Sequence, residues 1–255
     1  MPQIQRGILT SELSPAGDGI RGAVRGIVQL GEGSVEAFVK VLDAREVLVE
    51  CVCALLARAR GLNVPEPLLV FVPGAFVSDK IDKVGFGSVA VAHGSLRPWM
   101  TRVGNVAVLR RLRTWAGLVP AACFDEWIAN PDRHVGNILF DGKDEFWLID
   151  HGLALAANVR VDQAVANKLF AVAVEGLGEG EKLLLRSKAF GVVDSMVEQP
   201  VGSTLDDLPR DVLNEAAIGD VMAWLDDRKT HLMRLTSARI PTQQGDLLIG
   251  GSNGA

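Results

Sequence analysis

The sequence predicts an α+β fold: a small β-rich lobe at the N-terminus and a larger helical lobe after it, with a cleft between. Three observations predict it. Strand-like patterns fall within residues 3–92, apart from one short hairpin further on, and helical patterns dominate from Arg97 onward. A single strong helix interrupts the strands. A polar loop, the hairpin and a strand end then gather Asp132, Asn137 and Asp150 on one edge. The expected boundaries are residues 1–94 for the first lobe, 95–240 for the second and 241–255 for a flexible Gly-rich tail.

Ile8-Leu9 is read as a first short strand. Ile20 to Leu30 and Val35 to Leu42 are β-branched and roughly alternating, and Gly31-Glu32-Gly33-Ser34 joins them as a hairpin turn. Ser11 to Gly19, between the first two strands, is rich in turn formers, including Ser14, Gly17 and Gly19. Alternation places Phe38, Lys40 and Leu42 on one face of the third strand. A lysine between two large apolar residues costs desolvation energy unless an anion partners it.

Ala44 to Arg60 carries an apolar stripe of Val47, Leu48, Cys51, Leu55 and Ala59, which is a helical pattern. Gly61 caps it and the Asn63 to Pro67 run stops it. Within it, Glu50 is one candidate partner for Lys40, and Glu46, one turn earlier, is the other. Leu68 to Val72 and Gly85 to Ala92 are further strands. His93-Gly94-Ser95 reads as a hinge.

Val103 to Trp115 and Ala121 to Ala129 are the next helices. Asn130-Pro131 ends the second, because a residue before proline is pushed out of the α region. Asn137 to Phe140 leads into a strand, Asp141-Gly142 offers a tight turn, and Phe146 to Ile149 returns to Asp150. Asp125 and Glu126 are read as structural, and Arg133 and His134 as holding the loop that contains Asp132. After Gly152, helices are expected at Val161 to Val174, Glu179 to Phe190 and Asp211 to Leu235, the last broken near Gly219.

Composition narrows the function classes. Of 255 residues, 48% are apolar, ample for a core, and the net charge of −5 shows no basic excess of the kind nucleic acid attracts. Arg102 and Arg110-Arg111-Leu112-Arg113 are read as a solvated helix face. Cys51, Cys53 and Cys123 lack metal-ligand spacing and are expected as buried free thiols in a reducing compartment. No basic-then-apolar leader and no apolar span is present, so the expected location is the cytoplasm, with no membrane partner. Oligomeric state leaves no trace in the sequence.

The chemistry lies in the spacing. Asn137 follows Asp132 by five residues and Asp150 follows Asn137 by thirteen. Those offsets fit the phosphotransfer set of a loop Asp that accepts a hydroxyl proton, an Asn on Mg²⁺, and a second Asp on the metals. Mg²⁺ requires hard oxygen ligands and bridges carboxylates to phosphates.

The run Asp132-Arg133-His134-Val135-Gly136-Asn137, followed by Leu148-Ile149-Asp150-His151-Gly152, resembles the D-R-H-x-G-N and I-D-x-G motifs of HipA-like kinases. A similar D-R-x-x-x-N occurs in type II phosphatidylinositol 4-kinases. The resemblance implies a two-lobed kinase fold that binds ATP and Mg²⁺ and phosphorylates serine or threonine in a protein substrate. It gives Asp132 the catalytic role and Asn137 and Asp150 the metal. Lys40 takes the nucleotide phosphates, Glu50 (whose register it favours over Glu46) pairs with Lys40, and Gly17 and Gly19 approach the phosphates. A lipid or small-molecule acceptor is an alternative. A nucleotide-binding or protein-binding pseudokinase is another: the intact Lys40, Asp132, Asn137 and Asp150 set argues against it, and the missing G-x-G-x-x-G argues for it. No A-P-E segment follows Asp150.

Overall fold

The computed structural model describes residues 3–15, 23–91 and 94–243. Gly17, Gly19, residues 20–22 of the expected second strand, His93 and the tail from residue 244 lie outside them.

Five strands close into a barrel: β1 (Gln5–Pro15), β2 (Val24–Leu30), β3 (Gly33–Lys40), β4 (Pro67–Val72) and β5 (Lys83–Val89), in the order β1-β2-β3-β5-β4. The closing pair, β1 with β4, is parallel and the others are antiparallel. Inward alternation fills the barrel with Leu9, Val28, Ala37, Val39, Leu68, Val70 and Val72. β1 is far longer than Ile8-Leu9. Its register shifts between Leu9 and Ser11 and again between Glu12 and Ser14, and such bulges hide the period-two pattern. The expected four-residue turn contracts to Gly31-Glu32, since Leu30 pairs with Gly33.

Helix α1 (Ala44–Ala59) opens at Asp43, whose side chain accepts from the Glu46 amide at 2.8 Å. It closes with Gly61 at φ +73°, the Gly61 amide on the Arg58 carbonyl and the Leu62 amide on the Ala57 carbonyl, a Schellman cap. Every residue from Val47 to Ala57 is buried. These side chains join the helices that follow in one apolar core, separate from the barrel's.

Three short strands, β6 (Gly94–Ser95), β7 (Ile138–Phe140) and β8 (Phe146–Leu148), form a second sheet in that order. Gly94-Ser95, read as a hinge, therefore pairs with the strand that leaves the Asp132 loop. The β7–β8 connection spans residues 141–145 rather than a tight Asp-Gly turn, because the Asp141 carboxylate accepts from the amides of Lys143 (2.7 Å) and Glu145 (3.1 Å).

The expected helix at Val103 to Trp115 is two helices, α2 (Leu96–Val103) and α3 (Asn105–Thr114), parted by Gly104 at φ +85°. α4 (Leu118–Trp127) begins before Pro120, which sits in the first turn where its missing N–H is not needed. α5 (Lys168–Val174) starts seven residues later than expected, because Val161 to Asn167 is irregular. α6 (Glu179–Glu198) runs on past Phe190, and α7 (Gly202–Leu205) is a single turn. α8 (Glu215–Arg239) passes through Gly219 unbroken, with Ile218, Val221 and Leu225 buried around it. Tertiary packing of this kind outweighs the weak helix propensity of one glycine.

The cysteines are free and buried. Burial holds the Cys123 thiol up at about 12. Among the described residues, no helix is long and apolar enough to cross a membrane.

Candidate active site

The loop after α4 is built around one buried cation. Arg133 forks onto Asp125, Nε to Oδ2 and Nη2 to Oδ1, both at 3.0 Å, and each residue is 1% exposed. Its Nη1 donates to the carbonyls of Asn137 (3.2 Å) and Ile149 (2.6 Å), which ties the Asp132 loop to the strand end before Asp150. The Asp132 amide donates to Asn130 Oδ1 at 3.0 Å. Asn137 Nδ2 donates to the Asp132 carbonyl at 2.9 Å and lies 3.5 Å from its carboxylate. His134 Nδ1 accepts from the Gly136 amide at 3.1 Å. Arg133 and His134 thus hold the loop, and the Asp132 carboxylate is left half-buried at its edge.

Asp150 follows β8 in the left-handed region at φ +60°. Asp and Asn tolerate this region better than other residues with a side chain. The turn presents the carboxylate, one-third exposed, to the end of β3. Lys40, the last residue of β3, is 18% exposed and sits between two acids, 3.0 Å from Asp150 Oδ1 and 3.4 Å from Glu50 Oε1. Of the two candidate partners on α1, Glu50 makes the ion pair. Glu46 sits a turn earlier, its amide held by the Asp43 cap.

His151 joins this cluster without any local pattern that marks it. Its amide donates to Glu50 Oε2 at 2.8 Å and its ring Nδ1 lies 3.6 Å from the same oxygen. Glu50 therefore joins the lysine strand to the segment of Asp150. Burial pushes the Glu50 carboxyl up, but hydrogen bonding from His151 and the Lys40 charge outweigh it and hold it at about 2. Burial, reinforced by the Arg133 charge, lowers the His151 imidazole below its usual 6.5, against the pull of Glu50.

Both shifts carry the same sign. The unfolded chain takes up protons that the folded chain refuses, so stability falls as pH falls. The His151 contribution is present above about 6.5 and fades below it. The Glu50 contribution is present above about 4.5 and is lost toward about 2. Urea melts between pH 7.5 and 5 should show the first part of this decline. His151→Asn should flatten it, and an unchanged slope would contradict the assignment.

Asp150 and Asn137 both carry hard oxygens, and the Ile149 amide, next to Asp150, donates to the Asn137 carbonyl at 3.1 Å. Among the described residues no three of His, Cys, Asp and Glu cluster as a self-sufficient metal cage. This donor set fits Mg²⁺, which takes one or two protein oxygens and completes its octahedron with phosphate and water. A cavity of about 580 Å³ lies elsewhere, against Asn63, Arg111, Trp115 and Glu145, and touches none of these groups.

A family model described as HipA-like kinase matches residues 35–238. Among solved structures, the crystal structure of the Helicobacter pylori proinflammatory kinase CtkA is similar over 91% of this chain and 97% of CtkA. Its TM-score is 0.56 and its sequence identity 15%, a likeness that concerns the fold. No curated protein matches the sequence.

Proposed function

As the chain belongs to the HipA-like kinase family, we propose that it transfers the γ-phosphoryl group of ATP to a serine or threonine of a protein. The observation that carries this reading is Lys40 suspended between Glu50 and Asp150. One ammonium between two carboxylates leaves the site negative, ready for a metal cation, and gives the lysine a fixed place from which to meet phosphate.

The barrel with α1, residues 1–94, is the nucleotide lobe of this reading, and residues 95–240 are the lobe that brings the acceptor. Gly17 and Gly19 are proposed to border the phosphates. Lys40 holds the α- and β-phosphates, and Glu50 keeps it extended toward them. Asp132 orients the acceptor hydroxyl and takes its proton. Asn137 and Asp150 hold Mg²⁺, which when bound neutralises the phosphate charge. Positioning and charge neutralisation dominate catalysis in this reaction class.

The end of β3 is also set by a glycine. A Cβ on Gly85 would lie 2.5 Å from the Lys40 carbonyl oxygen. Gly85→Ala should displace Lys40 and cost on the order of 1–3 kcal/mol, the range for overpacking. It should also reduce the rise in melting temperature with Mg·ATP. A variant that keeps the full rise would show that β3 adjusts freely.

The test is incubation with Mg²⁺ and γ-labelled ATP, alone and with a cell extract, beside Asp150→Asn. Label on this chain or on an extract protein, absent with the variant, supports the proposal. Stabilisation by ATP without label or hydrolysis would favour a nucleotide-binding pseudokinase. Absence of both label and ATP binding would overturn the reading.

A further inference from the structure

The segment that follows Asp150 is irregular, yet its carbonyls are taken one after another by α8. Trp224 Nε1 donates to the Val159 carbonyl at 3.1 Å. Arg228 Nη1 donates to the carbonyls of Arg160 (3.3 Å), Val161 (3.0 Å) and Gln163 (2.9 Å). Arg234 donates to Asp162 at 2.9 Å, and Arg239 to Val165.

Arg228 is fully buried beneath the Trp224 ring, with its guanidinium carbon 5.1 Å from the ring centroid. Its Nε donates to the Glu126 carbonyl at 2.9 Å. The Glu126 carboxylate in turn binds Arg239 at 2.8 and 3.1 Å and Asn167 at 3.1 Å. Asn167 caps α5 by accepting from the Phe170 amide. One network thus fixes residues 159–167 from end to end.

In phosphorylation-controlled kinases the corresponding segment is ordered by a phosphate group that recruits arginines. Residues 153–167, LALAANVRVDQAVAN, contain no serine, threonine or tyrosine. That route is closed to this segment, and arginines already occupy its backbone.

We propose that α8 does the work of activation-segment phosphorylation. Arg228 is the central positioning residue, and the chain is competent as synthesised. This rests on the kinase reading, in which the segment after Asp150 faces the acceptor. A lysine could not replace Arg228 in full, because one ammonium on the segment's carbonyls leaves no second donor for the Glu126 carbonyl, which Arg228 reaches separately through Nε.

Arg160 offers a direct probe, because its side chain is 77% exposed while the following peptide bond is held from within. The full-length chain, treated with a broad-specificity phosphatase and confirmed unmodified by mass, should resist trypsin at Arg160-Val161. Arg228→Met should be cut there about tenfold faster or more, as local opening becomes cheap, with Arg228→Lys between them. Label transfer in the extract assay should fall in parallel, while stabilisation by ATP is retained.

Should Arg228→Met fail to fold, Trp224→Phe removes one donor and should raise cleavage to a smaller degree. Equal cleavage of variant and wild type, or loss of wild-type labelling on dephosphorylation, would overturn the proposal. Protected wild type, a cleavable variant and no label from either would support the clamp and overturn the transfer reading.

Discussion

Asp150→Asn should lower phosphoryl transfer by about 10²–10³-fold or more, the size of effect seen when one strong electrostatic contact to a transition state is removed. The substitution is chosen for its backbone. Asp150 sits at φ +60°, where asparagine is nearly as comfortable as aspartate and alanine is not, so the fold should survive. Lys40 loses one of its two carboxylate neighbours but keeps Glu50. The negative charge that suits a cation disappears, and with it the Mg²⁺ dependence of ATP-induced thermal stabilisation. Asp132→Asn is the contrasting variant. It should cost about 10²–10⁴-fold in transfer, as for loss of a general base, while leaving the Mg²⁺-dependent stabilisation intact. Equal loss of stabilisation in both would contradict the separate roles given to the two aspartates.

Asp125→Ala should cause the largest loss of stability, about 3–5 kcal/mol, because it strands the buried guanidinium of Arg133. That is about a fifth or more of what a typical domain has in reserve. Arg133 would keep its bonds to the Asn137 and Ile149 carbonyls but lose both of its 3.0 Å contacts to carboxylate. Adding Arg133→Met should recover part of the loss, since the double variant buries no unpaired charge. Urea midpoints of the two single variants and the double variant measure the coupling. Additive losses would mean that the pair does not act as a unit. Activity should not recover with stability, because the double variant still lacks the tie between the Asp132 loop and the end of β8.

How far the sequence reaches depends on how local each feature is. Order, spacing and strand alternation single out Lys40, Asp132, Asn137 and Asp150 as candidates, and the structure brings Lys40 to Asp150 and Asn137 to Asp132. Helix periodicity leaves Glu46 and Glu50 as partners for Lys40, and only the register of the family resemblance favours Glu50, which makes the ion pair. The choice between them is made by the packing of α1 against β4 and β5, which brings Glu50 to the end of β3. His151 reaches a carboxylate 101 residues earlier and Arg228 a carbonyl 102 residues earlier, so neither left a local pattern. The main departures in the fold share a cause. Bulges concealed most of β1, side-chain bonds to Asp141 widened the hairpin, and the α8 donors kept Val161 to Asn167 from coiling. In each case hydrogen bonds outside the regular ladder overrode propensity.

The burial of α1 on every face has a consequence for inhibitor chemistry. One class of kinase inhibitor works by occupying space vacated when the glutamate-bearing helix swings away from the lysine. Here that motion would pull the side chains of Val47 to Ala57 out of the shared core. Exposing even two or three of them costs on the order of 5 kcal/mol, at about 1.5–3 kcal/mol for each large apolar side chain. A compound that demanded the displaced helix would lose roughly three to four orders of magnitude in affinity to that reorganisation. Ligands that accept Lys40 and Glu50 where they stand are the ones expected to bind, and a screen enriched in them should give the higher hit rate.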